Sequence, residues 1–267
     1  MVEPSEPKVQ KGRDIRTVLR ALFEPRHYKA LKNIFLYHDH PIDFIGRYIF
    51  RVGSYPCHQS LCFNHRKLQL QVFSWHDVLT INEIFFRMDY ETSGEEKIIV
   101  DFGSNIGISA AFFLSAAEQS FCYLFEPLPT NILRLKQNLS GFEARYKLEE
   151  AAVALRDGRE EFGFEETGRY GGLGVKTGSY TTVPCLDAIR LLRSIVDEHG
   201  SIDILKIDIE ALELEILAAI PSWLLVKIKK IFVEQALSNN PLAATHNYVQ
   251  YGSVAQFSLT SSCEVGA

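Results

Sequence analysis

Between residues 97 and 234 the chain alternates short β-branched apolar runs with stretches of helical spacing. "KIIVDF" (97–102) predicts a strand, and "IGISAAFFLSAAE" (106–118) a helix. "FCYLFE" (121–126) and "PTNILRLKQNL" (129–139) repeat that pair, and "YKLEEAAVA" (146–154) predicts a third strand. "YTTVPCLDAI" (180–189) reads as a short strand running into a helix. "IDILKIDI" (202–209), "EALELEILAAI" (210–220) and "VKIKKIFVE" (226–234) follow as strand, helix and strand. Asp157-Gly158 marks a hairpin turn. Alternation at this pitch predicts an α/β architecture, a mostly parallel sheet with helices on both faces.

The flanks differ. Residues 1–12 are polar and aromatic-free, which predicts disorder. From Asp14 to about Phe50 the spacing is helical, with Ile15, Val18, Leu19 and Leu22 as one stripe and Leu31, Ile34 and Phe35 as another. "SLCFNHRKLQLQVF" (60–73) alternates as a hairpin does, and residues 75–91 return to helical spacing. After the last strand only "SVAQFSLT" suggests a further one, so a shortened C-terminal sheet edge is expected. The predicted organisation is a tail over 1–12, a helical and hairpin extension over 13–74, and a catalytic domain over 75–267.

Composition narrows the function classes. A formal net charge of −5 over 267 residues is a poor match for nucleic acid, which demands clustered Lys and Arg. No apolar run is long enough to span a membrane and the N-terminus has no apolar core of a secretory signal, so a cytoplasmic location is expected. Five cysteines without a C-x-x-C indicate neither a disulfide framework nor a zinc site. An unfinished sheet edge would favour a homo-oligomer.

Candidate chemistry sits at the carboxyl ends of the predicted strands. The first ends in "DFGSNIG", where Gly103 and Gly107 cover the turn into the helix. A dinucleotide site shows G-x-G-x-x-G. Here Asp101 precedes the first glycine, which suits a cationic ligand and repels phosphate. S-adenosylmethionine carries a sulfonium, an ammonium and no phosphate. The second strand ends in Glu126-Pro127, whose carboxylate can accept both ribose hydroxyls of an adenosine. Lys206, Asp208 and Glu210 alternate along the strand at 202–209, so they are expected to share one face. "HDH" at 38–40 reads as a turn or cap. Phe85, Phe86 and Tyr90 read as core, and the glycine-rich 168–178, with Tyr170, as a loop that could cover an acceptor.

Together "NEIFFRMDYE" (82–91), "IIVDFGSNIGISA" (98–110), "LFEPLPTNILRLKQNL" (124–139), "AAVALRDG" (151–158) and "DILKIDIEALELEIL" (203–217) resemble the FkbM-type family of S-adenosylmethionine-dependent methyltransferases, of the class I Rossmann-like fold. The resemblance implies methylation of a hydroxyl on a small molecule or sugar. It implies that Asp101, Gly103, Ser104, Asn105 and Gly107 line the methionine part of the cofactor, that Glu126 and Pro127 hold the ribose, and that Lys206, Asp208 and Glu210 stand beside the transferring methyl. An alcohol nucleophile needs a base; Asp208 is the first choice, Glu210 the second and Glu234 the third. A divalent cation bridging Asp208 and Glu234 is an alternative. A catalytically impaired cofactor-binding scaffold and a nicotinamide-dependent oxidoreductase are the competing functions. Ala211 departs from the family by standing where glycine is usual.

Overall fold

The computed structural model describes residues 25–165 and 171–261. The predicted tail, the stripe from Ile15 to Leu22 and Tyr170 lie outside them.

The chain enters through helices α1 (Pro25–Tyr37) and α2 (Pro41–Phe50). Pro41 opens α2 because its missing N–H is not needed in a first turn. His38 belongs to the bend between them: its Nδ1 accepts from the His40 amide at 2.9 Å and its Nε2 bonds Gln59 at 3.0 Å. Of the expected α1 stripe only Ile34 is buried, with Leu31 and Phe35 exposed. Strands β1 (Cys57–Phe63) and β2 (Arg66–Val72) form the expected hairpin. Its two-residue turn, Asn64-His65, has both residues at positive φ, the geometry that matches strand twist. Helix α3 (Trp75–Ile81) starts in a capping box between Ser74 and Asp77 and continues as a π-helical turn over Asn82–Phe86.

The central sheet contains β3 (Ile98–Phe102), β4 (Phe121–Phe125), β5 (Tyr146–Glu149), β10 (Ile202–Ile207), β11 (Ile228–Val233), β12 (His246–Tyr251) and β13 (Val254–Leu259), in the spatial order β12-β13-β11-β10-β3-β4-β5. The five strands from β11 to β5 are parallel, as their apolar runs predict. The C-terminal edge is not shortened. Antiparallel β13 pairs with β11, and β12 closes the edge. Strand β12 escapes a hydrophobicity reading because it is "HNYVQY", an edge strand whose inward residues are His246, Tyr248 and Gln250 while Val249 and Tyr251 are exposed.

Helices α4 (Ile108–Ala116) and α5 (Pro129–Asn138) connect the first strands. Every residue of α4 is buried, because the N-terminal hairpin and the π-helical turn cover the side that would otherwise face water. Phe63, Phe85 and Phe112 meet there with centroids 5.3–5.4 Å apart. On the other sheet face lie α6 (Ala188–His199), α7 (Glu213–Ala219) and α8 (Ser222–Leu225).

Two expectations fail between 146 and 187. The single strand predicted at 146–154 breaks after Glu149, and β6 (Ala152–Ala154) joins a second sheet with β7 (Gly158–Phe164), β8 (Gly171–Leu173) and β9 (Ser179–Asp187). Asp157-Gly158 is therefore no two-residue hairpin, since β6 pairs with β9 rather than β7. Asp157 instead binds the Arg190 guanidinium and the Asp187 amide at the start of α6. Part of the glycine-rich loop is strand β8, paired with β7. No helix among the described residues is long and apolar enough to cross a membrane.

Candidate functional site

The turn after β3 is held by hydrogen bonds to its neighbours. The Gly103 and Ser104 amides both donate to the Phe125 carbonyl, at 3.2 and 3.0 Å. Ser104 Oγ donates to the Asp101 carbonyl and accepts from the Phe125 amide. The Asn105 amide donates to Glu126 Oε2 at 3.0 Å, and the Gly107 amide to the Ser104 carbonyl at 2.8 Å. Four amides of the turn are thus engaged by protein acceptors. A pyrophosphate needs such a row of amides free.

The two glycines serve packing as well as turning. Gly103 has φ +81°, and a Cβ there would lie 1.8 Å from the Asp208 carbonyl oxygen. Gly107, at φ +84°, caps α4, and a Cβ there would press on Leu135 and Leu139. So Gly103 lets two strand ends approach, while Gly107 lets α5 lie against the turn.

Behind the turn is a buried ion network. Lys206 Nζ lies 2.9 Å from Asp101 Oδ1 and 3.1 Å from Asp208 Oδ2, and donates to the Gly103 carbonyl at 3.1 Å. Ser109 Oγ donates to Asp101 Oδ2 at 2.6 Å. Asp101 is fully buried and Lys206 nearly so. Burial works against the ammonium charge, yet Asp101 and Asp208 outweigh it and raise the Lys206 pKa above its ordinary value.

Two clefts meet at Gly103, Asn105 and Asp208. The first, about 620 Å³ with its open side, is walled by Glu126, Pro127, Asn131, Ala152, Phe162 and Glu210 among others. Glu126 is nearly buried there, with Oε1 accepting from the Leu128 amide and Asn131 Nδ2, and Oε2 from the Asn105 amide. A carboxylate has about four acceptor positions, so Oε2 keeps one for a ligand. Burial raises the Glu126 pKa from 4.5 to about 7, against the opposing pull of those donors.

Folded Glu126 therefore binds its proton more tightly than unfolded Glu126. The stability it contributes is complete below about pH 4.5 and is lost as pH rises through about 7. In ligand-free melts the wild type is expected to lose up to about 3 kcal/mol relative to Glu126→Gln across that window. Parallel curves for the two proteins would contradict the shift.

The second cleft, about 640 Å³ with its open side, includes Asp77, Glu83, Asp89, Tyr90, Ser104, Ser109, Lys206, Asp208, Glu234 and Ser253 in its wall. Glu234 stands at its open side, beside Asp208. Repulsion from Asp208 comes first, then burial, then a hydrogen bond with Asp208, and together they push the Glu234 pKa up. Among the described residues no group of three or more His, Cys, Asp or Glu is arranged to hold a metal ion.

The expected residues therefore divide. Gly103, Ser104, Asn105, Glu126, Pro127, Lys206, Asp208 and Glu210 are on cleft walls. Asp101 and Gly107 are not; they stand behind the wall, positioning Lys206 and α5. Glu210 does not share a face with Lys206 and Asp208, because β10 ends at Ile207 and the chain turns into left-handed backbone at Glu210 (φ 56°) and Ala211 (φ 77°). It reaches the first cleft only. Glu83, Asp89 and Tyr90 are not among the expected site residues. Their signal is the "NEIFFRMDYE" segment itself, which reads as core because Phe85 and Phe86 within it are fully buried.

Left-handed backbone at a non-glycine costs about 1 kcal/mol or more. Ala211→Gly is expected to raise the melting temperature by about 2–4 °C. An unchanged or lower value in calorimetry would show that the turn is not strained.

A model of the methyltransferase FkbM domain matches residues 101–253, more than half of the chain. No curated protein matches it. Among solved structures the chain is similar to a methyltransferase FkbM from Methylobacillus flagellatus KT, 15% identical over 66% of this chain and 47% of that one, with a TM-score of 0.45. It is also similar to a methyltransferase from Geobacter sulfurreducens (13% identical, 62% and 72% covered, TM-score 0.35). A third is an O-methyltransferase family protein from Burkholderia thailandensis (10%, 68% and 58%, TM-score 0.35). The chain spans about half the length of the Methylobacillus protein.

Proposed function

The chain belongs to the FkbM methyltransferase family, and on that premise we propose that it carries a methyl group from S-adenosylmethionine to a hydroxyl on a small molecule or sugar. The observation that carries the choice of cofactor is the turn after β3. Its amides at 103, 104, 105 and 107 are spent on protein acceptors, and the adjoining walls present carboxylates. That environment disfavours a dinucleotide's phosphates and suits a cation. Glu126 fits the cofactor's ribose, having a free acceptor position on the cleft wall, with Ala152, Val153, Phe162 and Leu173 as apolar surface for a base.

The cofactor supplies an electrophilic methyl on a sulfonium, and the protein's part is alignment and proton removal. Asp208 lies where the two clefts join, so it can accept the acceptor's hydroxyl proton at a carboxylate oxygen. Lys206 holds Asp208 through Oδ2 at 3.1 Å, which limits how the carboxylate can turn. Glu234 hydrogen-bonds Asp208, and its raised pKa makes it the poorer base of the two. Asp101 and Ser109 set Lys206 in turn, acting as positioning residues. The test is a transfer assay with radiolabelled S-adenosylmethionine against a panel of hydroxylated metabolites and sugars. Label is expected on a hydroxyl oxygen; labelled product formed only on carbon or nitrogen would refute the assignment.

A further inference from the structure

Building on the methyl-transfer reading, we propose that the acceptor bears a protonated amine beside its reacting hydroxyl, and that Glu83, Tyr90 and Glu234 receive that ammonium in the second cleft. The first ground is charge. Asp77, Glu83, Asp89, Asp208 and Glu234 are on the wall and Asp101 is just behind it, six carboxyls in all. Three cations answer them: Lys206 between Asp101 and Asp208, Arg87 between Glu83 and Asp89, and Arg134 within electrostatic reach of Asp77. Asp77 is occupied by the Phe73 and Ser74 amides, which stabilise its charge without cancelling it. The methyl donor's sulfonium, ammonium and carboxylate amount to one net positive charge. A surplus of negative charge therefore remains for the acceptor, and a neutral one would leave it unanswered.

The second ground is Tyr90. Its ring is buried, 4% exposed, between Phe113 and Phe232 with centroids 5.8 and 5.1 Å away. Its hydroxyl is accessible from the cleft and makes no hydrogen bond among the described residues. It lies within electrostatic reach of Asp208, Glu234, Asp101 and Glu83. A cleft-facing hydroxyl that meets no partner in the protein favours the ligand that supplies one. An ammonium has three donors, enough for a phenol oxygen and two carboxyls. The π-helical turn, a form of helix often found at functional sites, is what carries Glu83 to this wall while Phe85 and Phe86 stay in the core.

The test is calorimetric titration of the protein loaded with S-adenosylhomocysteine. The probes are matched pairs, glucosamine against glucose and aminocyclohexanol against cyclohexanediol, each at low and high salt. The ammonium member of a pair is expected to bind about tenfold more tightly or better at low salt. Salt is expected to erode that advantage, and Glu83→Gln and Tyr90→Phe to reduce the ratio between the two members of a pair several-fold. Equal binding within the pairs, preference for the neutral member, or no binding of either amine by loaded protein overturns the proposal. Failure to take up S-adenosylhomocysteine at all would sink the methyl-transfer reading instead.

Discussion

Gly103→Ala is expected to lower stability by about 3 kcal/mol and to abolish cofactor uptake together. The methyl would sit 1.8 Å from the Asp208 carbonyl oxygen and 2.8 Å from its carbon, both backbone atoms that cannot swing aside. Overpacking of this kind costs about 1–3 kcal/mol, and alanine at φ +81° adds about 1 kcal/mol or more. Relief requires β3 and β10 to part at their carboxyl ends, where the Asp208 amide bonds the Phe102 carbonyl at 3.1 Å. That is the junction of both clefts, so Asp208 and Asn105 would leave their places. Calorimetric melting and cofactor titration of the variant check both halves. A stable protein with intact cofactor affinity would show that the strand ends are not locked.

Asp208→Asn is expected to lower turnover about a hundred- to ten-thousand-fold, the usual contribution of a positioned base. Cofactor affinity should change far less, because the Glu126 half of the site is untouched. The asparagine keeps the shape but cannot take the proton, and Lys206 retains Asp101 as its partner. Single-turnover rates with saturating cofactor are the measurement. Full turnover with unchanged pH dependence would remove Asp208 from the mechanism and turn attention to Glu234.

The parallel core was legible because its strands are buried on both faces and so read as unbroken apolar runs, and because each ends on a polar residue at the same edge. Glu126 and Asp208 could be picked out for that reason. Glu210 could not be placed, since β-alternation predicts its direction only while the strand continues, and the left-handed turn at 210–211 ends that rule. The second sheet was hidden because β7, "GREEFGF", has charged outward residues and β8 is only three residues long. Edge strand β12 was hidden because its inward residues include His246 and Gln250. Asp101 misleads for an electrostatic reason. An acid at a strand end looks ligand-facing in sequence, but Lys206 arrives from 105 positions away and draws it inward. Tyr90 misleads the opposite way, as a core aromatic, since its ring is in the core and only its hydroxyl reaches the cleft.

The central claim is that the turn from Gly103 to Gly107 and the carboxylate of Glu126 receive an adenosyl sulfonium compound. Isothermal titration of the wild type and Glu126→Ala with S-adenosylmethionine, and of the wild type with NAD, addresses it directly. The account predicts saturable uptake of S-adenosylmethionine by the wild type, affinity lowered at least about tenfold in the variant, and no heat with NAD. Tight NAD binding, or S-adenosylmethionine binding indifferent to Glu126, would contradict it.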